Sequence, residues 1–393
     1  MRYRELGKTG LMVSEIGFGA EWITGWEQQR VNDLVRACER AGVNIVDCWM
    51  ADPSVRAALG TALAPHRADW IIQGHIGSTW QNGQYVRTRE IDAVKKAFKD
   101  QLELLQTDYL DLGMIHFIDD VDEFATLMAG SPYLDYVKEL HATGVIRHVG
   151  ISTHSVAVAR AAAQNPLIEV IMFSLNPAFD AMPSSGSLDD MFGDFKGAGN
   201  GINPERAALY EECAQLGVGI TVMKPFAGGR LLDAGKSPFG IAMTPAQCIA
   251  YALDRPAVAS VMAGMSELSH LEDALGYYTT LRQNLDYARI LRTAPQHSYA
   301  GHCIYCGHCQ PCMVGINIAI VNKYYDLAVL HESVPESIQG HYNALRAKAS
   351  KCVACHACER NCPFGVPIAE RMAAAAALLG LLVGIPALRL KGD

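Results

Sequence analysis

Eight cysteines in two short runs constrain this chain more than any other feature of its sequence. The first run has the spacing C-x2-C-x2-C-x2-C and the second C-x2-C-x2-C-x3-C followed by proline; the cysteines are Cys303, Cys306, Cys309 and Cys312, then Cys352, Cys355, Cys358 and Cys362. The second spacing is typical of iron–sulfur ligands, where the fourth cysteine serves the other cluster. Each run supplies three thiolates from one loop, and the fourth comes from the distant run. The two runs therefore predict two [4Fe–4S] clusters with crossed ligands.

Two other uses of cysteine explain the runs less well. Structural zinc also takes C-x2-C pairs, but it needs only four ligands and does not account for two triplets. Disulfide frameworks belong to small secreted chains, whereas this chain has 393 residues and begins MRYRELGKTG, without the apolar core of a signal peptide. Twelve cysteines without an export signal indicate a reducing compartment, and we expect a cytoplasmic protein.

Charge and hydropathy argue against nucleic acid as a partner and against a membrane span. The net charge is −8 and no basic run stands out, which argues against nucleic acid because its phosphates require Lys and Arg. The apolar run Met372–Leu388 is interrupted by glycine and proline and falls short of the roughly 20 residues of a membrane span. We expect this run to dock on the protein or at a contact between copies, so a homo-oligomer stays open.

A strand–helix rhythm occupies the first 285 residues. Eight such units match a (β/α)8 TIM barrel, and no G-x-G-x-x-G follows the first strand, as a doubly wound sheet would favour. The strand-like segments are Val13–Gly19, Val43–Val46, Trp70–Ile72, Tyr109–Ile115, His148–Ser152, Val170–Leu175, Gly219–Met223 and Val258–Met262. The predicted fold is α/β, with a barrel at 1–285 and a small, mainly helical ferredoxin-like domain at 286–393.

Turn and cap residues set the other elements. Lys8-Thr9-Gly10 predicts an N-terminal hairpin. Helix limits are predicted at Gly42, which ends a helix, and at Thr88, Pro132, Asn203-Pro204 and Thr244-Pro245, which begin helices. The stretch Asp180–Gly201 lacks periodicity and predicts a long loop that could serve as a lid. In the cysteine-rich part, Val321–Leu330 and Ile338–Ala349 predict short linking helices.

Polar side chains stand where the predicted strands end. In such a barrel the carboxyl ends of the strands aim side chains into one mouth, where active sites lie. The candidates there are Asp47, His75, His116 and Lys224, together with Ser152, Thr153 and Asn176. Each alone has an ordinary structural explanation, such as a helix cap or a hydrogen-bonded core histidine. Their convergence from different strands predicts an acid–base site.

Two segments resemble the aldo-keto reductase family. Gln106–Leu112 (QTDYLDL) followed by His116 looks like the fourth-strand signature of that family, and Gly144–Ser152 (GVIRHVGIS) resembles its entry to the fifth strand. Val261–Met265 and the helix after it look like the last strand and the cofactor-phosphate helix. The cysteine-rich end resembles the branch with a C-terminal ferredoxin-like extension. The resemblance implies a TIM-barrel oxidoreductase.

The family mechanism transfers hydride between a nicotinamide and a carbonyl. A tyrosine gives the proton and is tuned by a lysine, an aspartate and a histidine. The resemblance assigns Asp47 and His116 to the last two roles, whereas Asp52 stands at the position of the tyrosine and His75 near that of the lysine. The next tyrosine along the chain is Tyr85, so we expect none near Asp47. Histidine would then exchange the proton, and Lys224 would stabilise an oxyanion.

The cofactor pocket predicted from the resemblance holds NADP or NAD. Gly264, Met265 and Ser266 could cradle a phosphate through backbone N–H groups at a helix N-terminus, and His270 stands at the place of the phosphate-binding arginine. Ser152, Thr153 and Asn176 complete the predicted contacts. Three functions stay open: a nicotinamide-dependent oxidoreductase of a small organic substrate, a cluster-dependent reductase or dehydratase fed by a ferredoxin or flavoprotein, and a non-catalytic electron-transfer partner.

Overall fold

The structure is a computed structural model that describes residues 1–180, 204–285, 287, 303, 309–329, 333–334, 336–362 and 365–380. The predicted lid at Asp180–Gly201 lies almost wholly outside the described residues, as do Cys306 and the end of the apolar C-terminal run. Two compact units are present. One comprises Met1–Gln81 and Tyr85–Ser298, and the other Asn82–Gln84 and Tyr299–Asp393. The predicted domain limit at 285/286 stays a prediction.

A closed, parallel, eight-stranded barrel forms the first unit. Its strands in chain order are β3 (Ile16–Gly19), β4 (Ile45–Cys48), β5 (Ile71–Ile76), β8 (Leu110–Ile115), β9 (Ile146–Thr153), β10 (Val170–Ser174), β11 (Gly219–Met223) and β12 (Val258–Gly264). Each strand pairs with the next, and β12 closes the barrel on β3. The predicted barrel is confirmed. The first predicted strand is divided, because β2 (Met12–Ser14) belongs to a separate hairpin with β1 (Tyr3–Glu5).

Helices follow the strands around the barrel. They are α1 (Gln28–Ala41), α2 (Pro53–Leu63), α3 (Ile91–Leu104), α4 (Val121–Ala129), α5 (Pro132–Ala142), α6 (Val156–Ala163), α7 (Pro177–Asp180), α8 (Pro204–Leu216), α9 (Pro245–Leu253) and α10 (Leu268–Thr279), with short 3-10 turns at Ala20–Ile23, Ala64–Asp69, Ala227–Leu232 and Arg282–Leu285. The predicted limits at Gly42, Pro132 and Thr244-Pro245 are confirmed, the last by a full capping box. The predicted cap at Thr88 is wrong: Glu90 accepts the first free N–H groups of α3.

The N-terminal hairpin covers one end of the barrel. Leu6 and Val13 belong to one buried cluster with Ile45, Ile71 and Val170. These last three are the first residues of their barrel strands. Apolar side chains therefore fill the amino-terminal end of the barrel. The polar candidates stand at the opposite, carboxyl ends of the strands.

A second hairpin, which the sequence did not lead us to expect, interrupts the passage from β5 to α3. It is made of β6 (Ser78–Gln81) and β7 (Gln84–Arg87). Its turn is Asn82-Gly83, with φ angles of 53° and 77°. Two consecutive positive φ angles are those of a type I′ turn, for which Asn-Gly is the favoured pair. The dipeptide was the sequence signal for this hairpin.

The second unit is mainly helical in its described part. Its helices are Ile318–Ala328, Glu336–Ala344, Ala357–Arg360 and Ile368–Gly380, with a 3-10 turn at Ala349–Lys351. The two predicted linking helices are present with shifted limits. Arg371 of the last helix donates to the Asn322 Oδ1 atom over 2.6 Å. Among the described residues, no helix has the length and apolar character needed to cross a bilayer.

Candidate active site

A line of buried hydrogen bonds crosses the carboxyl end of the barrel. The Asp47 Oδ1 and His75 Nε2 atoms are 3.0 Å apart, and the two Nδ1 atoms of His75 and His116 are also 3.0 Å apart. The His116 Nε2 atom is 2.6 Å from the Tyr85 hydroxyl oxygen. We call these four residues the histidine network. Three of them, Asp47, His75 and His116, were predicted to lie together.

Gln73 holds the inner end of the histidine network. Its amide oxygen accepts from the Thr221 hydroxyl over 3.0 Å, which fixes its Nε2 atom as the donor to Asp47 at 2.7 Å. Asp47 therefore faces two donors, the Gln73 amide and the His75 ring. A side chain that only accepts suits an ionised carboxylate. Gln73 was missed in the sequence, although its place two residues before His75 puts both on one face of β5.

The donor directions in the histidine network follow from that carboxylate. An ionised Asp47 accepts from His75 Nε2–H, which leaves His75 Nδ1 as an acceptor. His116 then donates from Nδ1 and accepts at Nε2, where the Tyr85 hydroxyl donates. All four groups are satisfied with both rings neutral. The network thus has an order, with each proton placed toward Asp47.

Burial and aromatic packing hold the network in place. Asp47 and His75 are each 2% exposed, and Tyr85 is 8% exposed. The Trp49 ring lies parallel to the His116 ring at a centroid distance of 6.1 Å and edge-on to Tyr85 at 5.4 Å. Burial raises the pKa of Tyr85, against a smaller opposing effect of two arginines. The phenol is therefore a neutral donor at rest.

Lys224 belongs to a different group. Its Nζ atom is 2.7 Å from His154 Nε2, and His154 Nδ1 is 2.9 Å from Asp119 Oδ2. Burial lowers the pKa of His154, whereas Asp119 raises it and Lys224 lowers it further. A neutral His154 can donate to Asp119 and accept from the lysine. The structure therefore separates Lys224 from the predicted acid–base set and places it against His154, a polar residue expected at the end of the fifth strand. It also adds Asp119, which sequence reasoning did not select.

The backbone of Lys224 is held in an unusual conformation. Its φ angle is +56°, a region that residues with side chains rarely occupy. The Asn176 amide donates to the Lys224 carbonyl over 3.0 Å, while its Oδ1 atom accepts from the N–H groups of Ala178 and Phe179. Asn176, predicted as a cofactor contact, thus uses its side chain to join the N–H groups of α7 to the backbone that follows β11.

Asp52 has a structural role. It is the N-cap of α2, where its Oδ1 atom accepts from the N–H and the hydroxyl of Ser54 at 2.8 and 2.7 Å. An aspartate at this position satisfies free backbone donors of a helix. The structure does not bring Asp52 into the histidine network. The residue that the resemblance assigns to the tyrosine position of the family is therefore a helix cap.

Two serine hydroxyl groups on the neighbouring barrel strands β9 and β10 are left unsatisfied. The Oγ atoms of Ser152 and Ser174 are buried and have no hydrogen-bond partner within the described structure. Ser152 and Gly150 lie on the same face of β9, because side chains alternate along a strand. A Cβ atom on Gly150 would meet Met114, which belongs to the buried cluster that contains Leu6 and Val13. Ser152 therefore faces the barrel interior. Thr153, which alternates with it, donates instead to Asp119 over 3.1 Å. Buried hydroxyls without partners fit a polar ligand.

The predicted phosphate cradle follows β12. Gly264 ends this strand, Met265 is fully buried, and the Ser266 N–H donates to His270 Nδ1 over 3.2 Å. Arg30 donates to the Ser266 carbonyl over 2.9 Å, and its guanidinium lies 3.6 Å above the Trp26 ring. The structure thus brings Ser266 and His270 together and adds Arg30. An arginine beside the N-terminus of α10 suits an anionic group.

The cysteines of the second unit are partly described. The pKa of Cys358 is raised to about 11, first by burial and then by Glu359, and the thiols of Cys312 and Cys352 lie close enough to raise it further. The Cys352 sulfur accepts from the Ala354 N–H at 3.5 Å, and Ala354 and His356 both have positive φ angles. In the described part of the chain, which omits Cys306, no three His, Cys, Asp or Glu side chains are placed to hold a metal ion.

Comparisons with known proteins agree with this barrel. Among curated proteins, the uncharacterized oxidoreductase YqkF of Bacillus subtilis is 26% identical over 319 residues, which cover 77% of this chain and 99% of that protein. Among solved structures, the holo form of an aldo-keto reductase from Bacillus halodurans superposes with a TM-score of 0.59 at 23% identity, over 75% of this chain and 97% of that one.

A second solved structure is similar in the same region. It is an aldo/keto reductase from Klebsiella pneumoniae in complex with NADP and acetate, with a TM-score of 0.54 and 18% identity, over 75% of this chain and 96% of that one. Residues 15–243 match the Aldo/keto reductase family itself. With the closed barrel and the polar groups at its carboxyl end, this match shows that the chain belongs to the aldo/keto reductase family and is an oxidoreductase of that type.

Proposed function

We propose that this protein interconverts a carbonyl and a hydroxyl group of a small organic substrate, with proton transfer through Asp47, His75 and His116. The observation that carries the proposal is the buried line of hydrogen bonds from Asp47 to His116, at 3.0 Å for each step. Reduction of a carbonyl needs a proton at oxygen as well as a hydride at carbon. Histidine side chains titrate near neutral pH and suit this exchange.

The hydride would come from NADP or NAD, which supplies or accepts it when bound. The buried, unpartnered hydroxyl of Ser152 and that of Ser174 fit the polar end of such a cofactor. Arg30 and the N-terminus of α10, near Ser266 and His270, fit its phosphates. The remaining candidate contacts are Thr153, Asn176, Gly264 and Met265. The NADP complex of the Klebsiella relative supports this choice.

The C-terminal part, 286–393, would be a ferredoxin-like domain that holds two [4Fe–4S] clusters. The spacing of the eight cysteines supports this. Ferredoxin-type ligation would combine Cys312 of the first run with Cys352 and Cys358 of the second. That pairing is the one expected of crossed ligands. Such clusters carry single electrons, so a ferredoxin or a flavoprotein is the redox partner to test.

A second candidate function is a cluster-dependent reductase that uses no nicotinamide. One observation favours it: the Ser266 N–H, expected to bind a phosphate, already donates to His270. A bound cofactor would have to displace that ring. Nicotinamide binding therefore separates the two candidates.

The test uses anaerobically purified protein and a panel of small carbonyl and alcohol substrates with NADPH, NADH or their oxidised forms. We expect turnover by the wild type, and a loss of about 10²–10⁴-fold in kcat for Asp47→Asn, because the histidine network loses its anchor. The matched control is Asp52→Asn, which keeps a good helix cap and should keep kcat. Equal kcat in Asp47→Asn would contradict the proposed role, and absent nicotinamide binding would favour the second candidate.

A further inference from the structure

We propose that Tyr85 exchanges the proton with the substrate oxygen, as the outer end of the histidine network. This inference rests on the proposed carbonyl–hydroxyl chemistry and names the residue that touches the substrate. Tyr85 lies on β7, in the hairpin between β5 and α3, and its hydroxyl is 2.6 Å from His116 Nε2. The phenol comes from a strand outside the barrel, far along the chain from the aspartate.

Tyr85 is the least buried member of the histidine network. Asp47, His75 and His116 are 2–3% exposed, whereas Tyr85 is 8% exposed. Both ring nitrogens of His116 are already hydrogen-bonded, one to His75 and one to Tyr85. A substrate could reach His116 only by displacing the phenol. The Tyr85 oxygen donates to His116 and still has lone pairs that can accept a substrate hydroxyl.

The donor order makes Tyr85 a base for alcohol oxidation. The substrate O–H bond breaks and its proton joins the Tyr85 oxygen, while the Tyr85 proton moves to His116 Nε2. The His116 Nδ1 proton passes to His75 Nδ1, and the His75 Nε2 proton passes to Asp47, which becomes neutral. The C–H bond breaks with its electron pair as the alcohol becomes a carbonyl, and an oxidised nicotinamide, when bound, would accept that hydride. Reduction runs the same transfers in reverse.

The Trp49 ring fixes the geometry of the contact between Tyr85 and His116. Trp49 meets Tyr85 edge-on at 5.4 Å and stacks on His116 at 6.1 Å, so one ring positions both partners of the 2.6 Å contact. A phenol held in one orientation against an acceptor is prepared for transfer without rearrangement. Trp49 is a positioning residue in this arrangement.

Tyr85→Phe in the full, cluster-loaded protein tests the proposal. We expect kcat to fall by about 10²–10⁴-fold, the usual contribution of a general acid–base group, with the Kd of the nicotinamide unchanged in a fluorescence titration. The matched control is Tyr133→Phe, which removes a buried phenol that donates to the Ile76 carbonyl over 2.7 Å, outside the network. This control should keep kcat within a few-fold. An unchanged kcat in Tyr85→Phe would overturn the role of Tyr85.

A spectroscopic measurement examines the same contact without turnover. In protein labelled with ¹⁵N-histidine, Tyr85→Phe should shift the His116 Nε2 resonance and leave those of His154 in place. An unmoved His116 resonance would show that the bond is absent in solution and would overturn the inference. Absence of turnover in the wild type would instead reject the proposed function, so the two failures are distinguishable.

Discussion

His154 is the residue whose burial has the clearest consequence for stability. Burial lowers the pKa of His154 in the folded protein, whereas an unfolded chain returns it to about 6.5. Below that value the unfolded state binds more protons than the folded state. Stability from this residue is therefore complete above about pH 7.5 and is lost as the pH falls through 6.5.

We expect this loss to be visible in the melting temperature. Between pH 8 and pH 5.5, the Tm of the wild type should fall further than the Tm of His154→Asn, because asparagine has no proton to gain. His154→Gln is the second variant and should show the same reduced dependence as His154→Asn, because glutamine also has no proton to gain. If the Tm of His154→Asn falls as much as that of the wild type, the burial of His154 does not contribute to the pH dependence of stability.

At this scale the sequence predicted part of the site. Asp47, His75 and His116 could be grouped because the carboxyl ends of parallel strands converge. The same rule placed Lys224 in the group, but the structure puts it against His154. A barrel sequence assigns a residue to a strand, and it does not say which other side chains of a wide mouth that residue will reach.

The β6–β7 hairpin is the element on which the proposed chemistry depends. It carries Tyr85 two residues after its turn, so the conformation of Asn82-Gly83 sets the register of the phenol. Positive φ angles are easy for glycine and costly for other residues. The turn therefore determines the position of Tyr85, although it is not itself one of the reacting groups.

Gly83→Val should reduce turnover by at least about tenfold. A β-branched residue at a φ of +77° costs about 1–2 kcal/mol, and the hairpin can relieve this strain by shifting Tyr85 away from His116. Misplacement by about 1 Å is enough for a large loss of rate. Asn82→Gly keeps the turn and should retain the wild-type kcat. Full activity in Gly83→Val would show that the turn does not position Tyr85.

The elements themselves were predictable to different degrees. Strands such as Gly219–Met223 were found because buried apolar runs mark them, and the helix at Thr244-Pro245 because its capping box is local. The β6–β7 hairpin was missed because its strands have four residues each and are mostly half-buried, without a clear alternation. Its Asn-Gly turn was the signal to follow.

At the scale of the whole molecule, the crossing of the two cysteine runs is the feature to test. If Cys312 serves the same cluster as Cys352 and Cys358, as the spacing of the two runs predicts, removing any of them should remove the same irons. We expect Cys312→Ala and Cys358→Ala each to lose about four of about eight irons. The double variant should lose no more than either single variant, as measured by iron and sulfide content.

Controls for this count come from the same chain. Cys213→Ala should keep all the iron, because burial raises the pKa of that thiol to about 12 and leaves it a protonated core residue. Cys358→Ala combined with Cys362→Ala should lose both clusters. Loss of both clusters in the Cys312→Ala/Cys358→Ala variant would mean that each run holds its own cluster.

The predicted division of the chain at 285/286 stays a prediction. The compact units assign residues up to Ser298 to the first unit and also place Asn82–Gln84 with the second. The change in composition after about residue 285 is a local signal and carries no information on residues far away in the chain. The assignment of Asn82–Gln84 therefore could not be predicted from it.

The hairpin also bears on how such a site can change over time. Tyr85 lies in a short hairpin between a barrel strand and its helix, apart from the repeating unit that builds the barrel. Insertions and deletions at such loops leave the scaffold intact. A single event there could add or remove the phenol while Asp47, His75 and His116 stayed in place. Descendants of one ancestral barrel could therefore exchange tyrosine chemistry for histidine chemistry without refolding.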